Sequence, residues 1–180
     1  MVDIVFQVFS DSKINQRMKN SYIVLDNVLD QDSTTRLYES IDESTRNPFF
    51  YKLGQSHLYD DFSYAMLDVA SHYFELKSCI GYEFWTRLNR CVGGWHQDKD
   101  EKLFDEQGVV KFPLCSIIYY PYVDMKGGEL LLGSDKILPK TNRLVIFAAG
   151  IPHNVEDFTG NRISMMVNAW DKLVERKEYP

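Results

Sequence analysis

The stretch GGWHQDKDE, residues 93–101, sets a histidine and an aspartate two positions apart where a β-strand is expected to end. Side chains at i and i+2 of a strand share a face, so the imidazole of His96 and the carboxylate of Asp98 can converge on one divalent ion. A third ligand has to come from elsewhere, and the other histidines are His57, His72 and His153. His72 falls inside a helical pattern, where a packed or half-exposed ring is the simpler reading. His57 lies in a loop with no partners near it in sequence. His153 follows the apolar run RLVIF at a strand exit, where a ligand could face inward. Two imidazoles and one carboxylate on one face of an ion leave its remaining positions open, the pattern of non-haem iron centres.

An H-x-D triplet alone is a weak signal, and its weight comes from the residues around it. Arg162 stands nine residues after His153, in HNVEDFTGNRIS. This stretch reads as a strand exit, a turn at Thr159-Gly160-Asn161 and a strand return that brings Arg162 beside His153 on a neighbouring strand. A guanidinium buried there is costly unless an anion faces it, and its planar fork suits a carboxylate. That anion could be a cosubstrate.

The elements that must hold these residues change character near residue 80. Before it, Tyr22–Leu25 reads as a strand, followed by a helix with Asp32 or Ser33 as N-cap and Leu37, Tyr38 and Ile41 as its apolar positions. A loop follows around Pro48, Phe49 and Phe50. Phe62, Met66, Val69 and Tyr73 then recur at intervals of three and four, the seam of an amphipathic helix laid on a sheet. After residue 80 come short strands, YEFWTRLN, KFPLCSIIYYPY, GELLLG, KILPKTNRLVIFAAG and RISMMVNAW, broken at Gly93-Gly94, Gly127-Gly128, Pro139, Gly150 with Pro152, and Gly160. Many are apolar on both parities, which predicts two packed sheets with helices supporting one of them. The charged run DKDEKLFDEQG reads as a solvated loop or a lid.

The 180 residues, 44% of them apolar, suit a single domain of 1–180 with a helical support region at 1–79 and a jelly-roll core at 80–171. A net charge of −6 argues against a broad nucleic-acid-binding surface. Cys79, Cys91 and Cys115 lack C-x-x-C spacing, so neither a disulfide scaffold nor a structural zinc site is indicated. No apolar run approaches the roughly 20 residues a bilayer requires, and no membrane contact is expected. A cytoplasmic setting is the expectation, and the oligomeric state is left open.

The order of H-x-D at 96–98, GGEL at 127–130 and ILPKTNRLVIFAAGIPHNVEDFTGNRIS resembles the Fe(II)/2-oxoglutarate-dependent dioxygenases, in particular the prolyl-4-hydroxylase-like branch with its small phage and bacterial members. The resemblance covers about residues 80 to 170. It implies a double-stranded β-helix, or jelly roll, mostly β, with N-terminal α-helices packed on one sheet. It implies that His96, Asp98 and His153 bind Fe(II) and that Arg162 holds the distal carboxylate of 2-oxoglutarate, helped by Ser164 and by Tyr120, while Tyr119 points the other way. Many relatives carry a tyrosine about ten residues before the first histidine. Here Trp85, Thr86 and Asn89 are the nearest residues to that place.

The implied reaction is hydroxylation of a C–H bond with O2 as second cosubstrate, release of succinate and CO2, and ascorbate as a further cofactor. A peptidyl residue such as proline is the expected substrate, since carboxylates outnumber lysines between Asp98 and Gln107 and would repel phosphate. A free amino acid, another small molecule or a nucleobase is the alternative. Two rivals of other classes share the barrel: a metal-dependent hydrolase or isomerase, and a non-catalytic binding module. Trp95 is expected at the rim.

Overall fold

The runs SIIYY and RLVIF are apolar on both parities because both faces of their sheet are covered. The computed structural model describes residues 17–19, 21–41, 43–89 and 94–175, so Cys91 and Gly93 lie outside the described residues. These form β1 (Arg17–Lys19), β2 (Tyr22–Asp26), α1 (Gln31–Ser40), β3 (Phe49–Lys52), α2 (Asp60–Ser71), β4 (Gly81–Leu88), α3 (Glu101–Gln107), β5 (Cys115–Gly127), β6 (Leu130–Leu132), β7 (Asp135–Ile137), β8 (Arg143–Ala148), β9 (His153–Val155) and β10 (Phe158–Trp170). Among the described residues, a major sheet runs in the order β1-β2-β8-β5-β10-β4-β3, and a minor one in the order β7-β6-β9. Every pairing in both sheets is antiparallel.

One face of the major sheet packs on the helices. Ile117, Tyr119, Leu144, Ile146, Met165 and Val167 from the strands share a core with Leu37 of α1 and with Phe62, Met66 and Val69 of α2. The other face meets the minor sheet, where Ile118, Tyr120, Val145, Phe147 and Met166 pack against Leu130, Leu132 and Ile137. The mostly β, jelly-roll class expected from the sequence is the one found. The N-terminal 79 residues supply two helices and also the strands β1–β3 of the same sheet. No described helix is long and apolar enough to cross a membrane.

Several local expectations are corrected. The α1 cap is Asp30, not Asp32 or Ser33: its backbone is extended (φ −66°, ψ 161°), and its Oδ1 accepts the Ser33 N–H at 2.8 Å. Phe49 to Lys52 form an edge strand rather than a loop, paired to β4. The charged run after Asp98 is not a loop but the helix α3. Asp100 caps it by accepting the Leu103 N–H at 3.0 Å and is itself held by Lys172 at 2.6 Å. Thr159-Gly160-Asn161 is not a turn. Gly160 sits inside β10 at φ +107°, where a Cβ would meet the Asp124 carbonyl oxygen at 2.4 Å, so glycine is needed for close approach of β5 rather than for chain reversal.

β5 and β10 are also out of simple register. Ile163 pairs with Tyr122 and Met165 with Tyr119, so Tyr120 and Pro121 together oppose Ser164. Proline has no N–H for the ladder, which is why the extra residue falls there. The bulge reverses the parity of β5. Before it Ser116, Ile118 and Tyr120 line the space between the sheets; beyond it Val123 packs on that side, and Tyr122 stacks on Tyr38 of α1 at 4.8 Å.

Two interactions make this scaffold testable. Asn142, at φ +61° and buried, accepts the Leu29 N–H at 3.0 Å and the Tyr119 hydroxyl at 3.1 Å, and donates to the Leu29 carbonyl at 2.6 Å. Asn142→Ala strands these groups and strains the left-handed backbone, and should lower unfolding free energy by about 2–4 kcal/mol in denaturant titration.

His57 stacks on Tyr51 at a centroid distance of 3.8 Å; its Nδ1 accepts the Tyr59 N–H at 3.3 Å, and its Nε2 meets the Tyr82 hydroxyl at 2.8 Å. Burial depresses its pKa from 6.5 to about 4, with Asp60 opposing. The unfolded chain therefore binds the extra proton first. This contribution to stability is complete above pH 6.5 and is lost as pH falls toward 4. Thermal melts from pH 7 to pH 4 should show a smaller fall in Tm for His57→Gln than for the wild type.

Candidate functional site

The minor sheet continues one bridge beyond β9. His96 exchanges two backbone hydrogen bonds with His153, N–H to O at 3.0 and 2.8 Å, and this isolated bridge brings the two rings to a centroid distance of 4.2 Å. Asp98 belongs to no strand, so the i, i+2 strand argument for His96 and Asp98 does not describe how they meet. The carboxylate is instead held by the major sheet: the Ser116 hydroxyl of β5 donates to Asp98 Oδ2 at 2.6 Å. Asp98 Oδ1 is left 3.8 Å from His153 Nε2. One ligand atom from each of His96, Asp98 and His153 lies within 4.8 Å of the others.

The donor set fits a divalent cation. Each ring's Nδ1 faces a main-chain carbonyl, His96 toward Gly94 at 2.9 Å and His153 toward Ile151 at 3.0 Å. A neutral imidazole donating there carries its proton on Nδ1 and turns the Nε2 lone pair outward, as ligation requires. His153 is buried, with Phe147 edge-on at 5.0 Å, whereas His96 is exposed on the open side. Of the other histidines, His72 bonds the Asp68 carbonyl at the end of α2, and His57 is the half-buried ring described above.

These residues line one cavity of about 480 Å³, in the range of small-molecule sites. Arg162, Ser164 and Tyr120 line it too, each less than 5% exposed. Arg162 is not on a strand neighbouring His153. It lies on β10 of the major sheet while His153 lies on β9 of the minor one, so the two face each other across the sandwich. The Arg162 guanidinium sits 4.7 Å over the Phe158 ring, and its backbone is clamped by Asn89, whose Oδ1 accepts the Arg162 N–H at 2.9 Å. Burial raises the Tyr120 phenol to about 12, with the Arg162 and Arg143 charges pulling the other way, so it is a neutral hydroxyl donor at ordinary pH. Tyr119 is on the opposite face, against Thr34 and Asn142.

Upstream, Trp85 lines the cavity, whereas Thr86 faces away and bonds Thr45 at 2.7 Å. Trp95 stands at the mouth, 55% exposed. Ser116 and Asn168 are cavity residues that the sequence reading passed over. Their signal was a lone neutral polar residue within an apolar strand, CSIIYY and MMVNAW.

No family model matches the chain, and no curated protein matches it in sequence. Solved structures do. A Pseudomonas putida prolyl-4-hydroxylase superposes with a TM-score of 0.61 at 20% identity, covering 83% of this chain and 84% of its own. A Trichoplax adhaerens prolyl hydroxylase, in complex with a hypoxia inducible factor oxygen degradation domain peptide fragment, gives 0.56 at 15% identity, covering 85% and 84%. A prolyl 4-hydroxylase from Phytophthora capsici gives 0.56 at 16%, covering 82% of this chain and 58% of that one. The chain therefore has the prolyl-hydroxylase fold.

Ser116 is the most direct handle on the donor set. Calorimetric titration with Mn(II) should give an affinity about 10–100-fold lower for Ser116→Ala than for the wild type, the usual effect of removing a partner of a ligand. Asp98→Ala should abolish binding.

Proposed function

We propose that this chain is an Fe(II)- and 2-oxoglutarate-dependent dioxygenase that hydroxylates a C–H bond of a peptidyl residue, proline being the first to test. The observation that carries this reading is the convergence of His96, Asp98 and His153 within 4.8 Å in the cavity that also buries Arg162. A hydrolase or isomerase would use the three ligands but would have no need of a carboxylate receptor on the facing sheet. The peptide substrate rests on a lesser support, the peptide held by the Trichoplax adhaerens neighbour.

In this reading, His96 and His153 would hold the iron through Nε2 and Asp98 through its carboxylate. Bound Fe(II), with 2-oxoglutarate and O2, supplies the oxidising power and yields succinate and CO2. Arg162 takes the distal carboxylate as a bidentate pair, and Ser164 and the neutral Tyr120 hydroxyl add donors to it. Burial strengthens these contacts and keeps water from the reacting atoms. The chain supplies position and dryness rather than a general base.

Purified protein with Fe(II) should convert 2-oxoglutarate slowly to succinate without substrate, and proline-containing peptides should gain one oxygen in mass spectrometry. Absence of both 2-oxoglutarate binding and succinate formation would overturn the reading. Arg162→Ala should weaken anaerobic 2-oxoglutarate binding by roughly 2–5 kcal/mol while leaving Mn(II) affinity close to wild type, the effect of truncating one partner of a buried charge pair.

A further inference from the structure

Along β10, Arg162, Ser164, Met166 and Asn168 line the cavity, whereas Met165, Val167 and Ala169 join the core beneath the helices. Asn168 is 2% exposed, and no hydrogen bond joins its carboxamide to another described residue. The carboxamide opens onto the cavity, so its two donors and one acceptor are left for whatever enters there. Its place in the register adds to this. Asn168 is directly opposite Ser116, the residue that holds Asp98, and side chains paired in this way share a face. It is therefore beside the ligand trio. Arg162 is six residues away along the same strand, about 20 Å at the usual rise.

That separation decides which molecule Asn168 can serve. A five-carbon dicarboxylate anchored at Arg162 uses its length in reaching the ligand trio, and the floor beyond Ser116 is left to another molecule. We propose that the Asn168 carboxamide selects the primary substrate by pairing with a neutral amide group of that substrate. This rests on the oxygenase reading only for the statement that a second molecule enters the cavity. An amide answers Asn168 with one acceptor and one donor, whereas an ester offers the acceptor alone and would leave the Asn168 oxygen unpaired. An adenine edge offers a comparable pair, but the net charge of −6 works against a polynucleotide.

Trp85 and Trp95 line the same cavity and give a readout independent of turnover. Tryptophan fluorescence of the full chain, with and without Mn(II) and 2-oxoglutarate, would be titrated with N-acetyl-L-prolinamide, with N-acetyl-L-proline methyl ester and with deoxyadenosine. The amide should bind the wild type about tenfold more tightly than the ester. Asn168→Ala and the near-isosteric Asn168→Leu, which has no hydrogen-bonding atom, should each erase that preference, and circular dichroism melts would check that both variants remain folded. An amide preference that is missing in the wild type or survives in both variants overturns the proposal. So does binding of deoxyadenosine that depends on Asn168. An Asn168-dependent amide preference in a protein that neither binds 2-oxoglutarate nor forms succinate would sink the oxygenase reading and leave the Asn168 assignment standing.

Discussion

The site depends on one hydrogen bond, from the Ser116 hydroxyl to Asp98 Oδ2 at 2.6 Å. His153 belongs to the minor sheet, and His96 is tied to its backbone by a two-bond bridge, so both are positioned by that sheet. Asp98 has no strand of its own. Facing sheets stand about 10 Å apart, and three ligand atoms within 4.8 Å of one another can exist only where something brings the major sheet's side of the cavity to the minor sheet's edge. Ser116 does this by anchoring the carboxylate from below. The packing of Phe147 against His153 fixes the same spacing from the other side.

With that spacing set, the bulge at Tyr120-Pro121 determines what the far end of the cavity contains. Had β5 kept its parity past Tyr120, Tyr122 would face the cavity opposite β10, and Val123 would face α1. The extra residue keeps Tyr120 inward and sends Tyr122 outward to stack on Tyr38. Arg162 then pairs across the strands with the small side chain of Val123, which leaves room around the guanidinium. The same strand pair thus carries both a helix-facing core and the buried Arg162 in the cavity wall, on either side of a one-residue irregularity.

The chemistry of the site was legible in the sequence where residue type alone carried it. An H-x-D triplet, a histidine at a strand exit and an arginine nine residues later announce themselves, and the apolar residues on both parities of the long strands pointed to a sheet covered on both faces. What could not be read depended on partners distant in sequence. Gly160 looks like a turn residue until the Asp124 carbonyl is known to press against it. Asp30, Asp32 and Ser33 are equally good caps in isolation, and only the extended backbone at Asp30 decides among them. The helix α3 buries no residue, so it has no apolar stripe for a periodicity argument to find. Ser116 and Asn168 are neutral and small, and their roles follow from parity within strands whose bulge the sequence does not disclose.

Charge gives the last constraint on the cavity, and it links the two ends of β10. Under the oxygenase reading, a divalent iron and the Asp98 carboxylate leave one positive charge, and the buried Arg162 adds a second. The histidines, ligating through Nε2, add none. A dianion such as 2-oxoglutarate cancels both charges, and at a guanidinium as buried as Arg162 an uncancelled charge would cost several kcal/mol. The ion, its ligands and Arg162 are then balanced, and the other charged side chains of the lining are Arg87, Lys99 and Glu101. Where none of these reaches, a third molecule is held by shape and by neutral hydrogen bonds. Asn168, uncharged and adjacent to the ligand trio, is the side chain at that position able to provide them.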